Sequence, residues 1–282
     1  MRAEHDVTDL CAALDVTRSG YHAWRAAGPS AREQADAALR PHIQALHAQH
    51  KGRYGAPRIQ DALAKQGQPH GTKRIARLMR QAGLRGLCPK RFVPQTTDSA
   101  HAHPIAPNRL AEAPPPSGPN QVWVSDLTYV APQEGWLFVA VILDLWSRRV
   151  GGWSTGPSLQ RCWVIAALRM ALQHRRPAPG LLHHSDRGVP YASTEHRPVL
   201  AAAGGQVSMS RAGNPYDNAA MESFMATYKR ECVGLAQTAG GYATRAAATA
   251  DFFQYAEAYY NRERSHSALG YQSPVDFENQ LN

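Results

Sequence analysis

Three strand-like runs follow one another with no helix between them, and no other feature restricts the fold as much. "QVWVSDLTYV" alternates and is β-branched, and "GWLFVAVILDLWSRRVGGWS" supplies two more strands around a turn near Ser147. Gly135 precedes the second run and suits a hairpin. Beyond this point strands and helices alternate. "LQRCWVIAALRMALQHR" has helical spacing through Trp163, Ala166, Ala167, Met170 and Ala171. "GLLHHSD" reads as a short buried strand ending at Asp186, "TEHRPVLAAAGG" as a short helix and "QVSMS" as a fifth strand. "YDNAAMESFMATYKREC" is the next helix, with Asp217 as its expected N-cap, and "TRAAATADFFQYAEAYYNRER" is a final long one. Three strands in a row, then strands alternating with helices, predict an α/β unit built on a mixed five-stranded sheet flanked by helices.

The preceding part of the chain has a different character. "VTDLCAALDVTRSGYHAWRAAG" reads as two short helices around a turn, with Thr8 capping the first and Thr17 or Ser19 the second, stopped by Gly28-Pro29. A longer helix follows from Ala31 to about His50. Ile59 and Leu63 mark another helix that Gly67 ends. Thr72 is the expected cap of the next, where Ile75, Leu78 and Met79 form the apolar stripe and Lys73, Arg77 and Arg80 share the other side. Two short helices with a tight link, the second basic on its outer face, have the pattern of a helix-turn-helix DNA reader. The boundaries expected are a helical region over 1–50, the helix-turn-helix region over 51–92, a Pro-, Ala- and Ser-rich linker over 93–120, the α/β core over 121–235, and a C-terminal helix and tail over 236–282.

Charge supports this division. The net charge is +9 over 282 residues, and Met1–Pro119 holds 17 Lys and Arg against 9 Asp and Glu. Within it, Lys51–Arg91 holds 11 basic residues and a single acid, Asp61, a concentration that points to a polyanionic partner, nucleic acid first. No apolar run approaches a membrane span and the N-terminus carries no signal pattern, so a cytosolic protein without a membrane partner is expected. The four cysteines, Cys11, Cys88, Cys162 and Cys232, are too dispersed for a CxxC pair and read as reduced thiols. His42, His47, His50 and His70 lack the paired cysteines of a zinc site.

Three acids stand out. Asp126 lies in or just after the first strand and Asp186 ends the fourth, where α/β sheets place chemistry. Glu222 is on the helix after the fifth. Carboxylates gathered together repel unless cations neutralise them, and hard oxygen donors suit Mg²⁺, with Mn²⁺ as the alternative. Two such ions about 4 Å apart can act on one phosphodiester. Seven residues of helix turn about 700°, roughly 20° short of two turns, so Glu222 and Lys229 share a face, and Asn218 falls on it too. Lys229 can then reach a phosphate beside the acids.

The stretches "WVSDLTYV", "GWLFVAVILDLWSRRVGGW", "HHSDRGVPYAS", "SMSRAGNPYDNAAMESFMATYKRE" and "YNRERSHSALGYQSP" resemble the D-D-E transposases of the IS3 branch of bacterial insertion sequences, relatives of retroviral integrases. Asp126 and Asp186 are separated by 59 residues, and Asp186 and Glu222 by 35, the latter gap being the family's signature. The resemblance implies a ribonuclease-H-like fold preceded by an all-α helix-turn-helix region. It implies two-metal phosphoryl transfer that cleaves DNA and joins strands at insertion-sequence ends. Asp126, Asp186 and Glu222 carry over as catalytic metal ligands and Lys229 as a phosphate contact. Asn218 carries over as a supporting or DNA-contacting residue, and Arg187, Arg211 and Asn214 as DNA- or site-supporting residues. Ser210 belongs to the same flanking motifs. Upstream, Arg58, Lys73, Arg74, Arg77 and Arg80 are the expected DNA contacts. Double-stranded DNA, both element ends and target, is the expected partner. A homo-oligomer on DNA, a protein from the upstream reading frame and a location with the bacterial nucleoid are implied as well. Pro190 departs from the Gln its relatives carry, which removes any side-chain hydrogen bond made there.

Other residues have competing readings. Asp144 reads as turn or sheet support, and His183 and His184 as satisfied strand histidines. Trp123, Trp136 and Trp153 read as core or sheet-surface aromatics and not as base-stacking platforms. "NRERSHSALGY" either lies on DNA through Arg262, Arg264 and His266 or docks on the core. Two other functions fit parts of the sequence: a non-catalytic DNA-binding regulator with a decayed integrase-like domain, and a structure-selective nuclease. The intact triad with Lys229 argues against the first; the basic helices and the 35-residue gap argue against the second.

Overall fold

The computed structural model describes residues 6–88, 105–192, 195–211 and 215–280. The chain divides into two compact units between Leu87 and Cys88.

The first unit is helical: α1 (Val7–Ala13), α2 (Arg18–Ala26), α3 (Ala31–Gln49), α4 (Ala56–Lys65) and α5 (Thr72–Gln81). Thr17 caps α2 as expected, its hydroxyl accepting from Gly20 N at 3.0 Å. A capping box between Ser30 and Glu33 starts α3. Two expected caps are not used. Asp6 flanks α1 with no side-chain cap, leaving Thr8 inside the helix; Gly71 flanks α5, so Thr72 is already helical. Leu39, Ile43 and Leu46 of α3 meet Ile59 and Leu63 of α4 and Ile75, Leu78 and Met79 of α5 in one buried core. Helix α3 therefore packs as part of the same unit as the α4–α5 pair. Its Asp36 is buried and accepts from Arg74 Nε at 2.7 Å and Arg77 Nη2 at 2.6 Å. The outer face expected of Lys73, Arg77 and Arg80 is therefore split: Arg77, together with Arg74, braces α5 on α3, while Lys73 and Arg80 are exposed.

The second unit carries the sheet: β1 (Val122–Val130), β2 (Leu137–Asp144), β3 (Val150–Gly156), β4 (Leu182–Ser185) and β5 (Gln206–Met209), in the order β3-β2-β1-β4-β5. β1–β2 and β2–β3 are antiparallel, and β4 and β5 run parallel to β1. This is the mixed ribonuclease-H-like topology. Between the strands lie α6 (Arg161–Arg175), α7 (Val189–Ala192) and α8 (His196–Ala202), and after them α9 (Ala219–Tyr228), α10 (Gly234–Thr238), α11 (Arg245–Phe253) and α12 (Pro274–Asn279).

Alternation along the strands assigns the faces. Trp123, Ala140 and Ile142 join Val164, Ala167 and Leu168 of α6 in one core, and Trp163 approaches so closely that a Cβ at Gly156 would lie 1.9 Å from its ring. Each fully buried Leu or Ile here contributes roughly 1.5–3 kcal/mol. On the other face Trp153 meets Phe252 of α11, which meets Tyr228. Two π-helical segments, Lys229–Val233 and Gln254–Tyr260, continue α9 and α11. The C-terminus is folded onto the sheet: Asn261 brackets the backbone of Val150, and Glu278 of α12 pairs with Arg149 and Arg175.

Candidate active site

Strand register alone brings two of the acids together. The parallel pairing of β1 with β4 ends at Ser125↔Ser185, and the next residue on each strand is Asp126 and Asp186. Neighbouring strands run about 4.8 Å apart, so the two acids lie side by side where β4 ends and β1 continues. Asp126 Oδ1 accepts from Leu127 N at 2.7 Å, and Asp186 Oδ1 accepts from Gly188 N at 2.9 Å, shaping the turn into α7. Pro190 is the second residue of α7, within the first turn where proline is tolerated.

The third acid comes from α9, whose entry is fixed to β1 by Asn218 Nδ2 donating to Ser125 O at 3.2 Å. Asn218 is buried, not on the outer face shared by Glu222 and Lys229. The reason is local: Pro215–Asn218 is a 3₁₀ turn, and its tighter winding breaks the α-helical phase that would align Asn218 with Glu222. Burial is the main influence on Asp126; with the like charge of Asp186, and less that of Glu222, it pushes the Asp126 carboxyl up to about 7, with Lys229 pulling the other way. Burial also raises Glu222. Among the described residues, no group of three His, Cys, Asp or Glu side chains is placed to hold a metal ion, so Glu222 is not drawn in to Asp126 and Asp186 here.

The residues around the acids are cross-braced. Arg187 Nε donates to Ser210 O at 2.7 Å, tying the end of β4 to the end of β5. His184 lies between Ser208 Oγ at 2.8 Å and Ser210 Oγ at 3.0 Å. The His183 and His196 rings meet at a tilt with centroids 5.0 Å apart, and their ring nitrogens have no hydrogen-bond partner among the described residues, so only His184 is satisfied as expected. Burial drives His184 and His196 down to about 4 and His183 well below the usual range. Asp217 is not the N-cap of α9; its carboxylate takes Arg211 N at 2.8 Å, Arg211 Nη2 at 2.8 Å and Asn108 Nδ2 at 2.8 Å, stapling the loop before the helix. The Arg211 bonds hold that carboxyl low. Arg211 itself stays exposed, and Asn214 lies outside the described residues.

Lys229 is exposed, its ammonium 5.1 Å from the centre of the Tyr129 ring. Two residues on, Glu231 is buried and receives Arg264 Nε at 2.7 Å and Arg264 Nη2 at 2.8 Å, with Tyr255 OH at 3.3 Å. Arg264 and His266 are buried, so this part of the tail docks on the core; Arg262 alone of the three is exposed. The sequence offered no signal for the Glu231–Arg264 pair beyond the presence of both charges, because their partnership depends on two helix segments that meet only in three dimensions. Asp144 is the turn support expected of it, accepting from Asn120 N, Trp146 N, Ser147 N and Ser147 Oγ. In the helical unit, Arg58 lies 5.4 Å over the Tyr54 ring.

An acid within β1, a second just past the end of the parallel β4, a third on a flanking helix and a lysine beyond them suit phosphoryl transfer. Comparison with known proteins agrees. A family model described as "Integrase core domain" matches residues 116–215, a second of that description matches 203–274, and one described as "HTH-like domain" matches 33–92. The chain is 41% identical over 268 residues to the insertion element IS600 uncharacterized 31 kDa protein of Shigella sonnei, covering 95% of this chain and 97% of the relative. It is 39% identical over 280 residues to the transposase InsF for insertion sequence IS3A of Escherichia coli K12, covering 99% and 96%. Among solved structures it is similar to a simian T-cell lymphotropic virus intasome, at 16% identity and TM-score 0.49, covering 84% of this chain and 74% of that one. Similarity to the relatives runs almost end to end and spans both the helical region and the sheet, so the chain belongs to the IS3-type insertion-sequence transposases, enzymes of the integrase-core D-D-E class.

Proposed function

We propose that this chain cleaves DNA at the ends of its insertion sequence and joins the freed strand to a target, with Asp126, Asp186 and Glu222 as the catalytic acids. The observation that carries this is the Ser125↔Ser185 register, which sets Asp126 beside Asp186 where β4 ends, together with the elevated Asp126 carboxyl their proximity helps to produce. Asp126 and Asp186 form the fixed pair, and Glu222, on the exposed side of α9, is the third arm.

The donor set fits Mg²⁺, or Mn²⁺ in its place: all three side chains offer hard oxygens, and their mutual repulsion is what a divalent ion relieves. Ions held there supply activation of an attacking oxygen and stabilisation of a leaving one. The chain's own part is positional. The two strands orient Asp126 and Asp186, Asn218 ties the start of α9 to β1, and Lys229 offers a cation to a phosphate beside the acids. In the helical unit Lys73 and Arg80 are the exposed contacts to DNA. Arg58 contributes beside them, and Arg74 and Arg77 act chiefly through Asp36. Assembly as a homo-oligomer on two element ends completes the reading.

The test is incubation with duplex ends of its own element and Mg²⁺. Wild-type chain yields nicked and joined products, while Asp126→Ala, Asp186→Ala and Glu222→Ala bind the same ends and yield neither. Cleavage retained by any of the three removes that residue from the site. Products from wild type in the presence of chelator overturn the mechanism.

A further inference from the structure

The β1–β2 hairpin presents two large rings to solvent. Tyr129 and Trp136 are each 53% exposed, and they meet edge to face with centroids 5.0 Å apart. Phe138, paired with Tyr129 in the strand register, lies behind with its centroid 6.3 Å away. Trp136 is thus neither core nor incidental surface. We propose that Trp136, braced edge to face by Tyr129, is a stacking platform for a nucleobase unpaired from the DNA end beside the cleaved phosphodiester, an inference that rests on the function proposed above.

The platform is held rigid from outside the hairpin. Arg245 Nε donates to Trp136 O at 2.9 Å, Arg245 N donates to Glu134 Oε2 at 2.6 Å, and Gln133 N donates to Tyr242 O at 2.9 Å. Gly135 takes φ +108° to make the bend, and a Cβ there would lie 2.8 Å from the Arg245 guanidinium. Rings fixed in advance bind without the entropic loss of ordering them.

Its position suits DNA. Tyr129 is three residues beyond Asp126 on one strand, about 10 Å at the usual strand rise. Alternation points the two side chains to opposite faces, yet β1 has no pairing with β4 past Ser125, and Lys229 of the catalytic helix reaches the Tyr129 ring at this open stretch. A phosphate-binding cation against an aromatic face is the combination that holds a nucleotide by backbone and base together. A base within duplex is already stacked on its neighbours, so only one released from pairing can use the platform. The Lys229 ammonium beside the rings complements a phosphate backbone, which is why DNA is the occupant assigned.

The test measures binding without metal, by fluorescence anisotropy, on forked element ends whose unpaired bases are intact or made abasic one at a time. Wild type loses about 10-fold in affinity when one particular base is missing, the effect of a lost base–ring stack. Trp136→Ala and Tyr129→Ala, checked for unchanged melting temperature, lose a similar factor on the intact fork and nothing more on that abasic one, while Tyr129→Phe behaves as wild type. Insensitivity of wild type to every abasic position overturns the proposal, as does an undiminished abasic penalty in Trp136→Ala. A change of oligomer mass in Trp136→Ala without any base dependence makes the pair a contact between copies and equally overturns it. Cleavage of the same forks with Mg²⁺ is scored separately. If the enzymatic reading is wrong, cleavage is absent whatever the binding shows; if only the platform is wrong, cleavage persists and binding ignores base and ring.

Discussion

Asp126 and Asp144 stand on paired strands of one sheet, and their surroundings treat them in opposite ways. Asp144 is buried with both oxygens occupied, taking two backbone N–H groups and a hydroxyl on one and a further N–H on the other. Asp126 accepts one bond among the described residues, from the N–H of its neighbour Leu127, and faces a second carboxylate. Burial raises both carboxyls, but hydrogen bonds offset it at Asp144, whereas like charges reinforce it at Asp126. An acid surrounded by donors serves the turn it sits in. An acid set against another acid, with oxygens to spare, is available to something that is not protein.

Substitution breaks this contrast most sharply. Asp126→Asn and Asp186→Asn eliminate detectable strand cleavage while leaving the melting temperature unchanged or a few degrees higher at pH 8, because repulsion between the acids is relieved. Asp144→Ala does the reverse. It leaves several buried donors unpaired and lowers stability by about 3 kcal/mol in denaturant titration, while cleavage per folded molecule stays normal.

A comparable loss is expected at the other buried charge. Glu231→Gln or Arg264→Met alone lowers stability by roughly 3–5 kcal/mol, and replacing both with apolar residues recovers most of it. Full additivity of the two single losses would show that the pair does not act as a unit.

The buried histidines set the acid limit. His184 and His196 are held at about 4 against an ordinary 6.5, so between those values the unfolded chain takes up protons that the folded chain refuses. Stability is therefore complete above about pH 6.5 and falls as pH drops towards 4, at about 1.4 kcal/mol per pH unit for each histidine. Thermal melts from pH 7.5 to 4.5 check this, and His196→Phe flattens the slope.

The smallest effect concerns the helical unit. Lys73→Ala with Arg80→Ala reduces the salt slope of DNA binding by about 2, one phosphate contact each, measured as log affinity against log salt. Arg74→Ala with Arg77→Ala lowers the slope less and the stability of the unit more, since both arginines are engaged by Asp36.

These contrasts also mark what could be read in advance. The strand pattern was legible because a two-residue period and short apolar runs survive without tertiary information, but the pairing of β1 with β4 that sets Asp126 beside Asp186 was not. The roles of Asp217, Arg187, Arg74 and Arg77 were not legible. Each is settled by a partner distant in sequence or by loop geometry: Asn108 for Asp217, Ser210 for Arg187, Asp36 for the two arginines. Asn218 was misplaced for a simpler reason, a 3₁₀ turn where α-helical phase was assumed. The burial of Arg264 escaped too, because a charged residue in a polar tail looks the same whether it meets DNA or a buried glutamate.

The central claim is that Asp126 and Asp186 hold a divalent ion and Asp144 does not. Mn²⁺ binding to the DNA-free protein, followed by the electron paramagnetic resonance signal of free Mn²⁺, tests it directly. Wild type and Asp144→Asn bind with the same affinity, and Asp126→Asn and Asp186→Asn lose that binding. Undiminished Mn²⁺ binding by Asp126→Asn, or its loss in a folded Asp144→Asn, would contradict the account.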